Sequence, residues 1–194
     1  MSWAEVSGRK RLMVGGRLNR FIPNPTFDPV AKPGSLDNFF RGKNPEGKDI
    51  RELFGQLEPI SPAYRDRNAR LKQLDQQGIE GAFFFPTLGV GMQESLRHDP
   101  EAASAAFTGF NRWLEEDWGY AFEDRIFTAP YISLMDADWA EKELESLLER
   151  GARLISMVPG PVPVGDGSMS VADPVFDGFW ARISEARIPV AFHA

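Results

Sequence analysis

The sequence contains no cysteine. That excludes disulfides, thiolate ligands and cysteine nucleophiles, and it is the usage expected in a reducing compartment, so a cytoplasmic location is expected. Histidine is nearly as scarce: His98 and His193 are the two in 194 residues. A site built on H-E-x-x-H or His-x-His spacing is therefore excluded. No apolar run approaches the roughly 18 residues of a membrane-spanning helix, and the first residues carry no signal-peptide core, so no membrane partner is expected. An excess of positive charge is also missing. The net charge of −6 argues against a nucleic-acid partner. The one basic cluster, Gly8 to Arg20, is broken by glycine and apolar residues and reads as an ordinary solvated face.

What the sequence does contain falls into two regimes. Residues 1–61 are rich in Gly, Pro and Asn, with scattered aromatics such as Phe21, Phe27, Phe39 and Phe40. Aromatics are avoided by flexible linkers, so this stretch is expected to be an irregular, loop-rich excursion packed against residues 62–194 in the same domain, with a role as a site cover. From Ser61 onward the pattern becomes regular. "SPAYRDRNARLKQLDQQG" predicts one helix, with Pro62 in its first turn and Gly78 at its end. "IEGAFFFPT", "RIFTAPYISL", "ARLISMVP" and "IPVAFH" predict four strands. Asp99 is expected to cap a helix whose stripe includes Phe107, Phe110, Trp113 and Trp118. Asp138 with Glu141 forms a capping box for the next helix, and Asp173 starts the last, with Val175, Phe176, Phe179, Trp180 and Ile183 inward.

Short strands apolar on both faces and separated by helices specify a parallel sheet covered by helices. An open doubly wound sheet and a (β/α)8 barrel both fit. The glycine-dense stretches "TLGVGM" and "PGPVPVGDG" match neither the dinucleotide fingerprint nor a P-loop, and both read as loops. In either architecture ligands bind at the carboxyl ends of the strands. His193, following the apolar run Ile188 to Phe192, is placed on that rim, whereas His98 reads as a surface residue. Other rim candidates are Pro86, Thr87, Ser133, Asp136 and Pro159, with Asp136 better explained as a helix start. Arg20 and Asn24 in the excursion could reach a substrate.

Three stretches carry a resemblance to a known family: "GRLNRFIPNPTFDPVAKPGSLDNFFRGKNPEG", "YRDRNARLKQLDQQGIEGAFFFPTLGVG" and "DPVFDGFWARISEARIPVAFHA". The chain resembles the amidohydrolase-related family of metal-dependent barrels that includes aminocarboxymuconate semialdehyde decarboxylase. The most specific part is the helix with Arg65, Asp66, Leu71 and Asp75 ahead of a strand ending in Pro-Thr.

The resemblance implies a partial (β/α)8 barrel of about four βα units. It implies His193 as a metal ligand, a divalent cation with zinc first among them, and a small-molecule substrate, cyclic or derived from an aromatic acid. The intact parent would be a hydrolase or a carbon–carbon lyase (decarboxylase) acting through a metal-activated water. The family's Asp-x-His-x-His strand and its later catalytic histidine and aspartate have no counterpart here. The chain therefore reads as a truncated central fragment, inactive by itself, without specific metal affinity and prone to self-association as a homo-oligomer across its open edges. The competing reading is a non-catalytic α/β ligand- or partner-binding module.

Overall fold

The computed structural model describes residues 2–14, 16–18, 29–50 and 52–193. The chain opens with an antiparallel meander of β1 (Ser2–Val6), β2 (Arg9–Val14) and β3 (Arg17–Leu18). Its first turn, Ser7–Gly8, has positive φ at both residues, the geometry that suits a two-residue hairpin. This regular pairing stands where the composition reads as loop, because the turn signal is Ser-Gly and, among its described side chains, Leu12 alone is buried. Leu12 joins a cluster with Met92, Leu96 and Phe107. Further on, β4 (Val30–Ala31) pairs with β5 (Leu57–Glu58) around the short α1 (Asp37–Phe40). Phe21 and Phe27 lie outside the described residues.

The helix expected from Ser61 is two pieces. Ser61 caps a 3-10 turn over Pro62–Tyr64, and α2 (Arg67–Gln77) starts afresh with Asp66, whose carboxylate accepts from the Ala69 amide at 2.6 Å. The break follows from two capping side chains five residues apart, each satisfying its own set of free amides. Gly78 ends α2 in the left-handed region, φ 66°, as expected of a C-terminal glycine. Asp75 is held by Arg125, which also donates to the carbonyls of Ile79 and Glu80. Asp66, Asp75 and Gly78 of the motif thus act in the scaffold.

Next come β6 (Ala82–Phe84), α3 (Thr87–Ser95), α4 (Pro100–Asp117), β7 (Ala121–Phe122), β8 (Ile126–Thr128), α5 (Ala137–Glu149) and β9 (Ile155–Met157). They are followed by β10 (Val162–Val164), β11 (Gly167–Met169), α6 (Asp177–Ala186) and β12 (Val190–Phe192). Two expected loops prove regular. "TLGVGM" opens α3, which has no side-chain cap; burial of Met92 and the close seating of Gly89 on the Tyr131 ring override its poor local signals. "PGPVPVGDG" contains half of the β10–β11 hairpin, turning at Gly165–Asp166 with Gly165 at positive φ. Asp99 caps α4 as expected, but α5 is capped by Asp136, whose carboxylate accepts from Trp139, and not by Asp138. Asp173 caps a 3-10 turn that leads into α6, and it leaves Val175 exposed where an inward position was expected.

The order of the parallel strands separates the two candidate architectures. β6 pairs with β8 and β9 with β12, both parallel. Beyond β8 the chain stays extended, and Tyr131 bridges Ser156 in parallel, with Ser156 donating to Pro130 at 2.8 Å and accepting from Ile132 at 3.0 Å. The spatial order is therefore β6, β8, β9, β12, the order of the sequence. A doubly wound sheet reverses direction at a switch point; a barrel adds strands one after another. No closed barrel exists among the described residues; the chain is an open α/β sheet consistent with part of one.

Side-chain alternation assigns the two faces. Phe84 packs edge-on against Trp118, the residue that caps the end of α4, on the helix side, while its neighbours Phe83 and Phe85 lie on the opposite, uncovered face. Phe83 meets Phe127 there. Ile155 and Val190 lie on the helix side, in the cluster with Leu144, Leu147 and Phe179. Burial against α5 and α6 settles their orientation. Trp118 is buried as expected, but Trp113 is 46% exposed.

Candidate functional site

The carboxyl ends of the four parallel strands form one rim. His193 stands on it directly after β12, its amide donating to the Met157 carbonyl at 2.9 Å and so prolonging the β9–β12 ladder. Alternation from Val190 places Ala191 and His193 on the uncovered face, opposite to Phe192. The imidazole lies flat on the ring of Phe85, centroids 5.6 Å apart and planes 15° from parallel. Phe85 follows the first parallel strand and His193 the fourth, so the sheet curls far enough for side chains beyond its outermost strands to meet.

Two buried polar atoms on this face have no hydrogen-bond partner in the structure, Nδ1 of His193 and Oγ of Ser156. Ser156 sits on β9 opposite Ala191 and shares its face. An unpaired buried polar group costs about 1–3 kcal/mol, which makes both atoms candidates to meet a ligand or water. Neither was expected to be orphaned, and Ser156 was not singled out at all. Its signal is a lone hydroxyl within the apolar run "LISMV".

A buried polar network fixes the rim beside them. Asn111 of α4 grips the backbone of Tyr131 with both ends of its amide, Oδ1 accepting from the Tyr131 amide at 2.8 Å and Nδ2 donating to its carbonyl at 3.0 Å. Nδ2 also donates to Glu143 of α5 at 2.8 Å. Thr108 donates to the other Glu143 oxygen and accepts from the Trp139 indole. Two helices and one strand end are thereby locked together. Tyr131 donates its hydroxyl to Gln93 at 2.9 Å, and burial pushes its phenol above the ordinary range. Burial does the same to Tyr120, reinforced by the nearby Glu115 and Glu143 carboxylates, while its hydroxyl donates to the Asn111 carbonyl.

The other expected candidates separate. Asp136 is used as the α5 cap, and Ser133 Oγ accepts from the Met135 amide within its own turn. Pro86 is buried, Pro159 and His98 are exposed, and of Thr87 only its place at the start of α3 is described. Arg20 and Asn24 lie outside the described residues. Among the described residues no three His, Asp or Glu side chains converge as a metal site. A divalent cation needs about three protein ligands, and His193 supplies one imidazole, so the residues present do not by themselves fit a metal centre.

Parallel βα units in sequential order, with a histidine at a strand end, are consistent with part of a barrel, a fold that binds its ligands at the carboxyl ends of its strands. The likeness to known structures is of the same kind. The chain matches an amidohydrolase from Mycobacterium avium subsp. paratuberculosis K-10 at 44% identity and a TM-score of 0.91, over 100% of this chain and 50% of that one. A 2,6-dihydroxybenzoate decarboxylase from Rhizobium matches 86% of the chain at 21% identity and a TM-score of 0.54, over 47% of its own length. The complex of a 2,6-dihydroxybenzoate decarboxylase with 2,6-dihydroxybenzoate matches at 22% identity and a TM-score of 0.54, over 48% of its length. At this level of identity the decarboxylase structures show a shared fold alone. No protein-family model matches the chain, and no curated protein does. The resemblance to an amidohydrolase implied by the motifs therefore extends over the whole chain, which spans about half the length of the structures it matches. No helix among the described residues is long and apolar enough to cross a membrane.

Proposed function

We propose that this chain contributes four consecutive βα units to a metal-dependent enzyme of the amidohydrolase type, a hydrolase or carbon–carbon lyase acting on a small cyclic or aromatic-acid-derived substrate. In this reading residues 62–194 are the partial barrel and residues 1–61 pack on it as part of the same domain. His193 is the ligand that the described residues give to a divalent cation, zinc first among the candidates, and further ligands are needed to complete its shell. When bound, such a cation activates water and polarises a substrate oxygen.

The observation that carries the proposal is the rim position of His193, with a buried and unpartnered Nδ1 on the uncovered face, in a chain 44% identical throughout to an amidohydrolase. The chain's own residues do the holding. Phe85 supports one face of the imidazole, and the β9 ladder fixes its backbone. The Asn111–Glu143 network fixes the neighbouring strand end.

The test mixes the chain with a polypeptide covering the other half of the similar amidohydrolase barrel. Turnover of a hydroxybenzoate, or of an amide or ester, is assayed with divalent metal present. Turnover is expected from the mixture, none from the chain by itself, and none from a mixture carrying His193→Ala. Turnover that survives His193→Ala would refute the assignment.

A further inference from the structure

We propose that α3 is a gate on the rim: a helix with little stability of its own, held shut by one tyrosine, whose release uncovers His193. The inference goes beyond the enzymatic reading above, and its test uses no turnover.

Weak local stability is the first support. α3 has nine residues, Thr87–Ser95, with glycine at positions 89 and 91 and no capping side chain. Helices shorter than about 12 residues are marginal in water, and glycine is the poorest helix former after proline. Its neighbours α4 and α5 are longer and begin on the capping aspartates Asp99 and Asp136. A segment of this kind opens well before the rest of the domain does.

The latch is the second support. Gly89 and Gln93, four residues apart, lie on one face of α3, and both meet Tyr131. A Cβ at Gly89 would stand 3.0 Å from the Tyr131 ring, so the helix backbone rests directly on it. Gln93 is buried and accepts the Tyr131 hydroxyl hydrogen bond at 2.9 Å. Met92 and Leu96 complete the contact, against Leu12, Ala103 and Phe107. Tyr131 itself is a fixed post. Asn111 holds its amide and carbonyl, and Phe107 stacks on its buried ring with centroids 4.5 Å apart. The post is held from several sides and the helix resting on it is weak, so opening moves α3.

Position is the third. α3 follows Phe85 and Pro86 directly, and Phe85 is the ring on which His193 lies. Val158, opposite His193 in the prolonged β9–β12 ladder, packs against the same cluster as Tyr131. Release of α3 therefore loosens the surroundings of the imidazole on two sides, at Phe85 and at Val158.

The measurement is hydrogen exchange of the full chain, read together with carbethoxylation of its two histidines by diethyl pyrocarbonate. The absence of cysteine removes the competing thiol. In the unmodified chain, α3 amides are expected to exchange at least ~100-fold faster than the slowest amides of α4 and α5. Gly89→Ala supplies a better helix former but drives a methyl group into the ring. It is expected to speed α3 exchange at least ~10-fold. Tyr131→Phe keeps the ring, removes the hydroxyl bond and is expected to speed that exchange ~5-fold. In both variants His193 is expected to react faster, while His98, already exposed, keeps its rate. An unmodified α3 as well protected as α4 overturns the proposal, whether or not the variants fold. So does slower α3 exchange in Gly89→Ala, or faster exchange with no change at His193.

Discussion

Tyr120 and Tyr131 hold neutral hydroxyls in the interior, and both phenols are pushed above their ordinary value of about 10. Below pH 10 the folded and unfolded chains both keep these protons, so neither tyrosine makes stability depend on pH. Above it the unfolded chain releases protons that the folded chain retains, the unfolded state binds fewer, and stability falls as pH rises. Urea unfolding at pH 9 and pH 11 is expected to show that loss, and Tyr131→Phe is expected to reduce it. At neutral pH the same substitution removes the bond to Gln93 and costs about 1 kcal/mol. Single residues were unevenly legible in the sequence. His193 was found because an apolar strand leads into it. Ser156 was not, because one hydroxyl in an apolar run reveals neither its burial nor its lack of a partner.

Elements show why local signals succeed or fail. Helices with a capping aspartate were readable: Asp99 starts α4, and substituting Asp136→Ala is expected to cost about 1 kcal/mol, a thermal midpoint lower by about 2–4 °C. α3 was missed because it has no cap and two glycines, and it is held by packing of Gly89 and Met92 that only the tertiary structure supplies. Asn111 and Glu143 interrupt the apolar faces of α4 and α5, and that interruption was their signal. Asn111→Ala frees both backbone groups of Tyr131 and strips a partner from the buried Glu143 carboxylate. It is expected to destabilise the chain by about 3 kcal/mol in chemical denaturation, several times the loss from an exposed ion pair such as Arg41–Asp37.

At the scale of the whole molecule, the helix–strand alternation was legible in the residue pattern, whereas the choice of barrel over doubly wound sheet came from the family resemblance and not from the pattern itself. That choice lies in which strands are neighbours, and β8 and β9 meet only through contacts around Tyr131 and Ser156. The open form leaves Phe83 59% and Phe85 43% exposed on the uncovered face. At about 25 cal/mol per Å² of apolar surface, covering such a face stabilises by several kcal/mol, whatever covers it. The site is divided in the same way: one imidazole, its stacking partner and its supporting network are in this chain, and a working metal centre needs more ligands than they provide. Calorimetric titration with zinc tests this division most directly. The chain by itself is expected to show no binding tighter than micromolar, and its mixture with the complementary half barrel is expected to bind tightly only while His193 is intact. Tight binding by the lone chain, or tight binding by a mixture carrying His193→Ala, would contradict the account.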